Sequence, residues 1–284
     1  MEKFGENGEC RRRRQAADFA RASVGLEGFK LIQADEVLTE RFVNGEMDLK
    51  EALTPMALPD HLESSERDER IEGYFCYWRI LELELDPVRG DFDAVHLREI
   101  NRRIFQDLPR MGLADVTPGQ YRPAVPDGMD WVKYRVLSSV TLSYFVAYSR
   151  MDEAAQRRLD EALADVAPQR WREMKTEDFA GNLARLYVEL DYIHPFGDGN
   201  SRTLRAFTRQ LARECGYGLA WEKLYANEAG RDTLYVARDL SVYELARPQV
   251  QHQETMQKLV YGMDRLEGNR TLPELLRDLV SAAS

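Results

Sequence analysis

Two runs of helically spaced apolar residues flank a turn built on proline and glycine, and this arrangement constrains the fold of the chain more than any other feature. From Thr176 to Leu190, the residues Phe179, Leu183, Leu186, Tyr187 and Leu190 make one apolar stripe. Thr176 is placed to cap the first turn, and Glu177 and Asp178 complement the positive end of the helix dipole. The helix must stop at His194, because Pro195 pushes the residue before it out of the α region and into an extended turn. A second helix begins near Ser201, turns Leu204, Phe207 and Leu211 inward, and ends at Gly216.

Helical spacing recurs elsewhere. It is read over 14–31 and 37–53, in an aromatic-rich segment over 71–85, over 92–108, over 152–164, and over 272–280 with Pro273 in a first-turn position. The stretch 54–70, with Pro55, Pro59 and a charge run, reads as a junction, dividing the chain into 1–62 and 63–284. Residues 109–130 are rich in proline and glycine and read as loop or hairpin, while 134–148 is left open between strand and buried helix. The remainder after 216 reads as short helical pieces. The fold class expected is mainly α.

Composition narrows the partners. The chain has 284 residues, and its 39 basic and 49 acidic side chains give a formal net charge of −10, which disfavours binding along a nucleic-acid backbone. Cys10, Cys76 and Cys215 are too few and too scattered for a disulfide framework or a zinc site and read as reduced thiols. The longest apolar candidate, Val136 to Tyr148, is broken by serine and threonine and is too short to span a bilayer. No secretory signal is read at the amino terminus, and the run Arg11 to Arg14 reads as a solvated helix start. A cytoplasmic protein with neither nucleic-acid nor membrane partners is expected.

The chemistry concentrates in His194-Pro195-Phe196-Gly197-Asp198-Gly199-Asn200-Ser201-Arg202-Thr203-Leu204-Arg205. Gly197 and Gly199 permit positive φ and close backbone approach, and the following helix start offers free N–H groups with partial positive charge. Arg202 and Arg205, three residues apart, add two guanidiniums to the same field. Phosphate is the natural ligand of such a nest. Asp198 would repel it unless a cation intervened, so Mg2+ is expected between Asp198 and phosphate oxygens. His194 is then the general base, its neutral form favoured by the helix end and the arginines.

This segment resembles the signature of the Fic family, His-x-Phe-x-(Asp/Glu)-Gly-Asn-Gly-Arg-x-x-Arg, with Ser201 standing where the second glycine is usual. Upstream, 92–100 with Phe105-Gln106-Asp107 resembles the helix that opens a Fic core, and Pro118-Gly119-Gln120-Tyr121-Arg122 resembles its following turn, so the resemblance spans about 63–250. It implies a helical bundle with a small β-hairpin flap, and transfer of AMP from ATP to a hydroxyl of a target protein. It also implies that His194 deprotonates the hydroxyl, Asp198 holds Mg2+, Gly199, Asn200 and Ser201 line the anion hole, and Arg202 and Arg205 grip the β- and γ-phosphates. The flap is expected between Tyr121 and Tyr134, with Trp131, Val132 and Tyr134 either touching an added target strand or serving as core. Two alternatives remain: a transferase using another phosphate-containing donor, or a non-catalytic nucleotide-binding toxin–antitoxin interaction module.

Ser23-Val24-Gly25-Leu26-Glu27-Gly28 is similar to the Ser/Thr-x-x-x-Glu-Gly/Asn pattern of the inhibitory helix that accompanies many Fic proteins. The bland reading is an amphipathic helix closed by Gly28. The first sixty residues also resemble the small antitoxin proteins that bind Fic toxins, which implies an inhibitory segment acting in cis. Glu27 would then form a bidentate pair with Arg205, occupying the guanidinium meant for the γ-phosphate.

Overall fold

The computed structural model describes residues 8–54, 63–226 and 228–282. The amino-terminal part carries α1 (Gly8–Gly25), α2 (Gln33–Val43) and the single turn α3 (Leu49–Ala52), where one helix was expected over 37–53. Gly45, in the left-handed region, and the Asp48 cap with its reciprocal Glu51 bond separate the last two. Next come α4 (Ser64–Leu85) and α5 (Ala94–Phe105), so the charged run 64–70 is the opening of α4 rather than linker. The rest of the expected junction, 55–62, lies outside the described residues.

The segment left open at 134–148 is a hairpin. Strands β1 (Trp131–Leu137) and β2 (Leu142–Tyr148) pair antiparallel in the register Trp131 opposite Tyr148 and Leu137 opposite Leu142. The hairpin therefore begins ten residues later than the expected 121–134 stretch, where Pro123 and Pro126 cannot donate to a ladder. Helices α6 (Glu153–Ala164), α7 (Pro168–Trp171), α8 (Thr176–Ile193) and α9 (Asn200–Glu214) follow. Thr176 is inside α8 rather than its cap, which is Lys175 without a side-chain bond. Strand β3 (Tyr217–Leu219), α10 (Glu228–Ala246), α11 (Gln253–Asp264), α12 (Leu272–Leu279) and β4 (Val280–Ala282) complete the order, with β3 antiparallel to β4. At 19 residues, α10 is longer than the short pieces expected there.

Helix α8 is central. Its Leu183, Tyr187 and Leu190 are fully buried, and it packs against α6, α9, α10 and α12. Helix α4 packs along α1, where Ala16, Ala17, Ala20 and Ala22 are buried, and its Tyr77 and Trp78 meet Thr39 and Phe42 of α2. The small residues let the two helices approach closely, and one core runs from α1 through α4 to α8 and α9. The basic run at the start of α1 is partly tied down: Arg12 donates to the Leu85 carbonyl, Arg13 to that of Phe42, and Arg14 to Glu40. Among the described residues no helix is long and apolar enough to cross a membrane.

Candidate active site

The loop between α8 and α9 is held from several sides. His194 has φ 49° and ψ 60°, so the chain leaves α8 through a left-handed residue and not through the extended turn expected before proline. A non-glycine residue in that region is strained and persists only where its surroundings fix it. Arg122 supplies much of that fixing: its Nε donates to the His194 carbonyl at 2.8 Å, its Nη2 to the Ser149 carbonyl at 2.6 Å, and its backbone N–H to the Pro195 carbonyl at 2.8 Å. Asn200 closes the loop from within, accepting from the Phe196 N–H at 3.0 Å and donating to the Phe196 carbonyl at 2.7 Å. Its side chain is thus a brace, which leaves the backbone N–H groups at the start of α9 as the donors for an anion. Gly199 takes φ 72°, and an added Cβ would sit 1.8 Å from the Phe105 ring, so only glycine fits. Gly197, expected to share that conformation, has no positive φ and faces open space.

His194 is 4% exposed, between the rings of Tyr148 at 4.2 Å and Trp131 at 5.3 Å. Lys133 Nζ donates to its Nε2 at 3.1 Å, so Nδ1 carries the ring proton and points at the Asp191 carbonyl 3.3 Å away. Burial first, and then the Lys133 cation, push the imidazole down to about 3 against the pull of Asp191. The imidazole is thus held neutral, as expected from the sequence, with burial rather than the arginines as the main cause. Behind it, Asp191 and Arg238 of α10 form a bidentate pair with both bonds at 2.9 Å, each side chain 0% exposed.

A pH dependence of stability follows. The unfolded imidazole binds a proton near pH 6.5 and the folded one only near 3, so between those values the unfolded chain holds more protons and stability falls as pH falls. The urea midpoint should therefore drop from pH 7 to pH 4.5, and His194→Gln should lose part of that drop. An equal drop in both chains would contradict the buried neutral imidazole.

Arg202 and Arg205 do not act as a pair. Arg202 turns to α4, bonding Glu72 and, at 3.4 Å, Cys76 Sγ, with the Phe105 ring 4.8 Å away. Arg205 is 0% exposed; its Nη2 donates to Glu27 Oε1 at 2.6 Å and to the Ser23 carbonyl at 2.7 Å, while its Nε lies 3.4 Å from Ser23 Oγ. The structure therefore brings Ser23, Glu27 and Arg205 together, through one carboxylate oxygen instead of the bidentate pair expected. Arg205 Nη1 is buried without a partner. Burial opposes charge on Glu27, but Arg205, Arg202 and Arg238 outweigh it and hold the carboxyl down at about 2. Gly28 is not the last residue of α1, which ends at Gly25; there the Tyr225 ring occupies the space of a Cβ, at 2.0 Å. Asp198 is exposed, and Ser201 is buried in the first turn of α9.

The sequence reading missed Lys133, Asp191, Glu72 and Arg238, and it met Arg122 only as part of a turn. Asp191 lay inside a helix already assigned to core. Arg238 and Lys133 are 44 and 61 residues away from His194 along the chain, and nothing local marks them.

This loop lies within a stretch of the chain that matches a family of known proteins. The profile of the Fic/DOC family matches residues 91–212. The probable protein adenylyltransferase Fic of Salmonella typhimurium is 37% identical over 163 residues, covering 54% of this chain and 68% of that protein. The chain belongs to the Fic family. Protein adenylyltransferase VbhT of Bartonella schoenbuchensis is 28% identical over 175 residues, which cover 61% of this chain and 32% of that protein, so the chain spans about a third of that relative's length. In fold it is similar to the BepC protein of Bartonella tribocorum, solved with bound AMPPNP, with a TM-score of 0.51 at 14% identity over 81% of this chain and 94% of that one.

Proposed function

We propose that the chain is a protein adenylyltransferase that moves AMP from ATP to a hydroxyl side chain of a target protein, and that 1–62 restrains it in cis. The observation that carries the reading is the buried, neutral His194 in the loop that leads into the N-terminus of α9, its Nε2 turned to Lys133 of the hairpin. The names of the two curated relatives point the same way. In the step proposed, Nε2 takes the hydroxyl proton as the oxygen forms a bond to the α-phosphorus. The bond from that phosphorus to the bridging oxygen breaks, and pyrophosphate leaves with the electron pair. The backbone N–H groups opening α9 receive charge on the phosphate oxygens, and Arg205, with its unpartnered Nη1, is set to take the terminal phosphate.

Mg2+ fits here as a substrate-borne ion. Asp198 offers one exposed carboxylate, and no cluster of three metal-ligating side chains occurs among the described residues, the donor set of an ion that draws its other ligands from phosphates and water. Asp198 would hold it, and its charge would offset that of the phosphates. Glu27 on Arg205 blocks the terminal phosphate in the resting chain, so ATP enters only in an unproductive pose.

Incubation with α-labelled ATP and a cell lysate tests the reading. Label on protein from the Glu27→Gly chain, reduced at least about 100-fold by His194→Ala, is the expected result, in keeping with the size of general-base effects. Tight ATP binding with no label from any variant would instead assign a non-catalytic nucleotide-binding module.

A further inference from the structure

The base is not free in this chain, because an ammonium sits on its lone pair. Lys133 Nζ lies 3.1 Å from His194 Nε2, the nitrogen through which the proposed reaction would draw a proton. Two donors cannot share that contact, so while Lys133 stays there the imidazole is neutral at Nε2 and unreachable by a hydroxyl. Among the described residues Lys133 makes no salt bridge; its ammonium stands 5.1 Å from the Trp131 ring, and one of its three N–H groups is used on the histidine. A cation so placed, on the hairpin beside an anion nest, is short of negative partners. Asp198 and Asp191 attract it from a distance while Arg135 and Arg122 repel it.

We propose that Lys133 is a positioning residue with two stations: it rests on His194 Nε2, setting the tautomer and capping the base, and moves to a phosphate oxygen when a nucleoside triphosphate fills the nest, which uncaps the base. The inference rests on the adenylyltransferase reading of the same site. It imposes an order, since a target hydroxyl can reach Nε2 only after the nucleotide has drawn Lys133 away. The flexible four-carbon stem and three rotatable donors of lysine suit such an exchange of acceptors, whereas arginine would keep the charge with a different shape.

The charged and titratable groups that face His194 are few, which makes the effect of Lys133 separable. Asp191 comes from α8, Arg238 from α10, Tyr148 from β2 and Arg122 from the 112–130 loop, while Asp198, in the loop of His194 itself, acts on Lys133. Removing Lys133 leaves all of them in place and deletes the cation nearest to Nε2.

Imidazole 15N NMR on the full chain tests the resting station without any need for catalysis. The signal of His194, assigned by its loss in His194→Ala, should stay that of the Nδ1–H tautomer to low pH in the parent. In Lys133→Met it should protonate at least one pH unit higher, and in Lys133→Arg it should stay near the parent. Binding of a Mg2+-loaded, non-hydrolysable ATP analogue in the Glu27→Gly background tests the second station: Lys133→Met should weaken it about tenfold and Lys133→Arg should restore most of the loss. Unchanged titration would overturn the capping contact, and unchanged affinity would overturn the phosphate station. If these results hold while no variant labels any protein, the adenylyltransferase reading fails and the two-station lysine stands.

Discussion

Glu27→Gly should raise the rate of AMP transfer by about 100- to 1,000-fold over the parent. The brake is one carboxylate oxygen on a guanidinium that water does not reach: Arg205 is 0% exposed and Glu27 20%. Breaking a buried charge pair by deleting one partner typically moves a state by about 3–5 kcal/mol, and each 1.4 kcal/mol is tenfold in a population. Part of that is returned to the parent, because the terminal phosphate can itself compete for Arg205, and the lower end of the range is the better expectation. With its carboxyl held at about 2, Glu27 stays ionised through mildly acidic pH, so lowering the pH to about 4 will not release the brake. Initial rates of label incorporation for parent, Glu27→Gly and Glu27→Gln decide the matter. Gln, which keeps the shape and loses the charge, should fall between the other two. A glycine variant no faster than the parent would remove the autoinhibitory role of α1. The comparison is clean because α1 stays docked through the buried side chains of Phe19, Ala20 and Val24, which the substitution leaves in place.

How much of this was legible beforehand differs by residue. The boundaries of α8 and the start of α9 within one residue were readable from a local period, and the contact of Glu27 with Arg205 from the resemblance carried by a contiguous pattern. The hairpin was not, since β2 buries Val146, Ala147 and Tyr148 in succession, on both faces, while β1 half-buries Lys133 and Arg135 and exposes Val132, Tyr134 and Val136, so the apolar residues follow no period of two. His194 was misread in conformation because the rule for the residue before proline is a local preference, and two hydrogen bonds from Arg122, to the His194 and Pro195 carbonyls, override it. Arg202 was misread in direction. Spacing alone put it on the face of Arg205, but Glu72 on α4 draws its guanidinium away, and no spacing in the 194–205 segment carries news of α4. What lay beyond reach were the partners of charge across the fold, Lys133 and Arg238, whose chemistry appears only once the helices and the hairpin are assembled.

Asp191→Asn should be the most destabilising single change near the site, although Asp191 touches neither nucleotide nor target in the proposed reaction. Burial works against charge on Arg238, yet Asp191 raises its pKa well above the usual value, and the same pairing holds Asp191 well below the carboxylate range against the burial that opposes it. Asparagine keeps the shape but leaves a guanidinium at 0% exposure with no anion in hydrogen-bond contact, and Arg238 Nη1 already lacks a partner. The expected cost is about 3 kcal/mol, or about 6–12 °C in Tm for a chain of this size. The reverse change alone, Arg238→Met, should cost a similar amount by stranding the carboxylate. The double variant Asp191→Asn with Arg238→Met strands no charge, so it should be more stable than the sum of its parts by at least about 2 kcal/mol. Thermal melts of the four chains measure that coupling. Strict additivity would mean that the pair contributes no more than its two volumes, and that His194 is held by packing against Tyr148 and Trp131 rather than by the charge behind it.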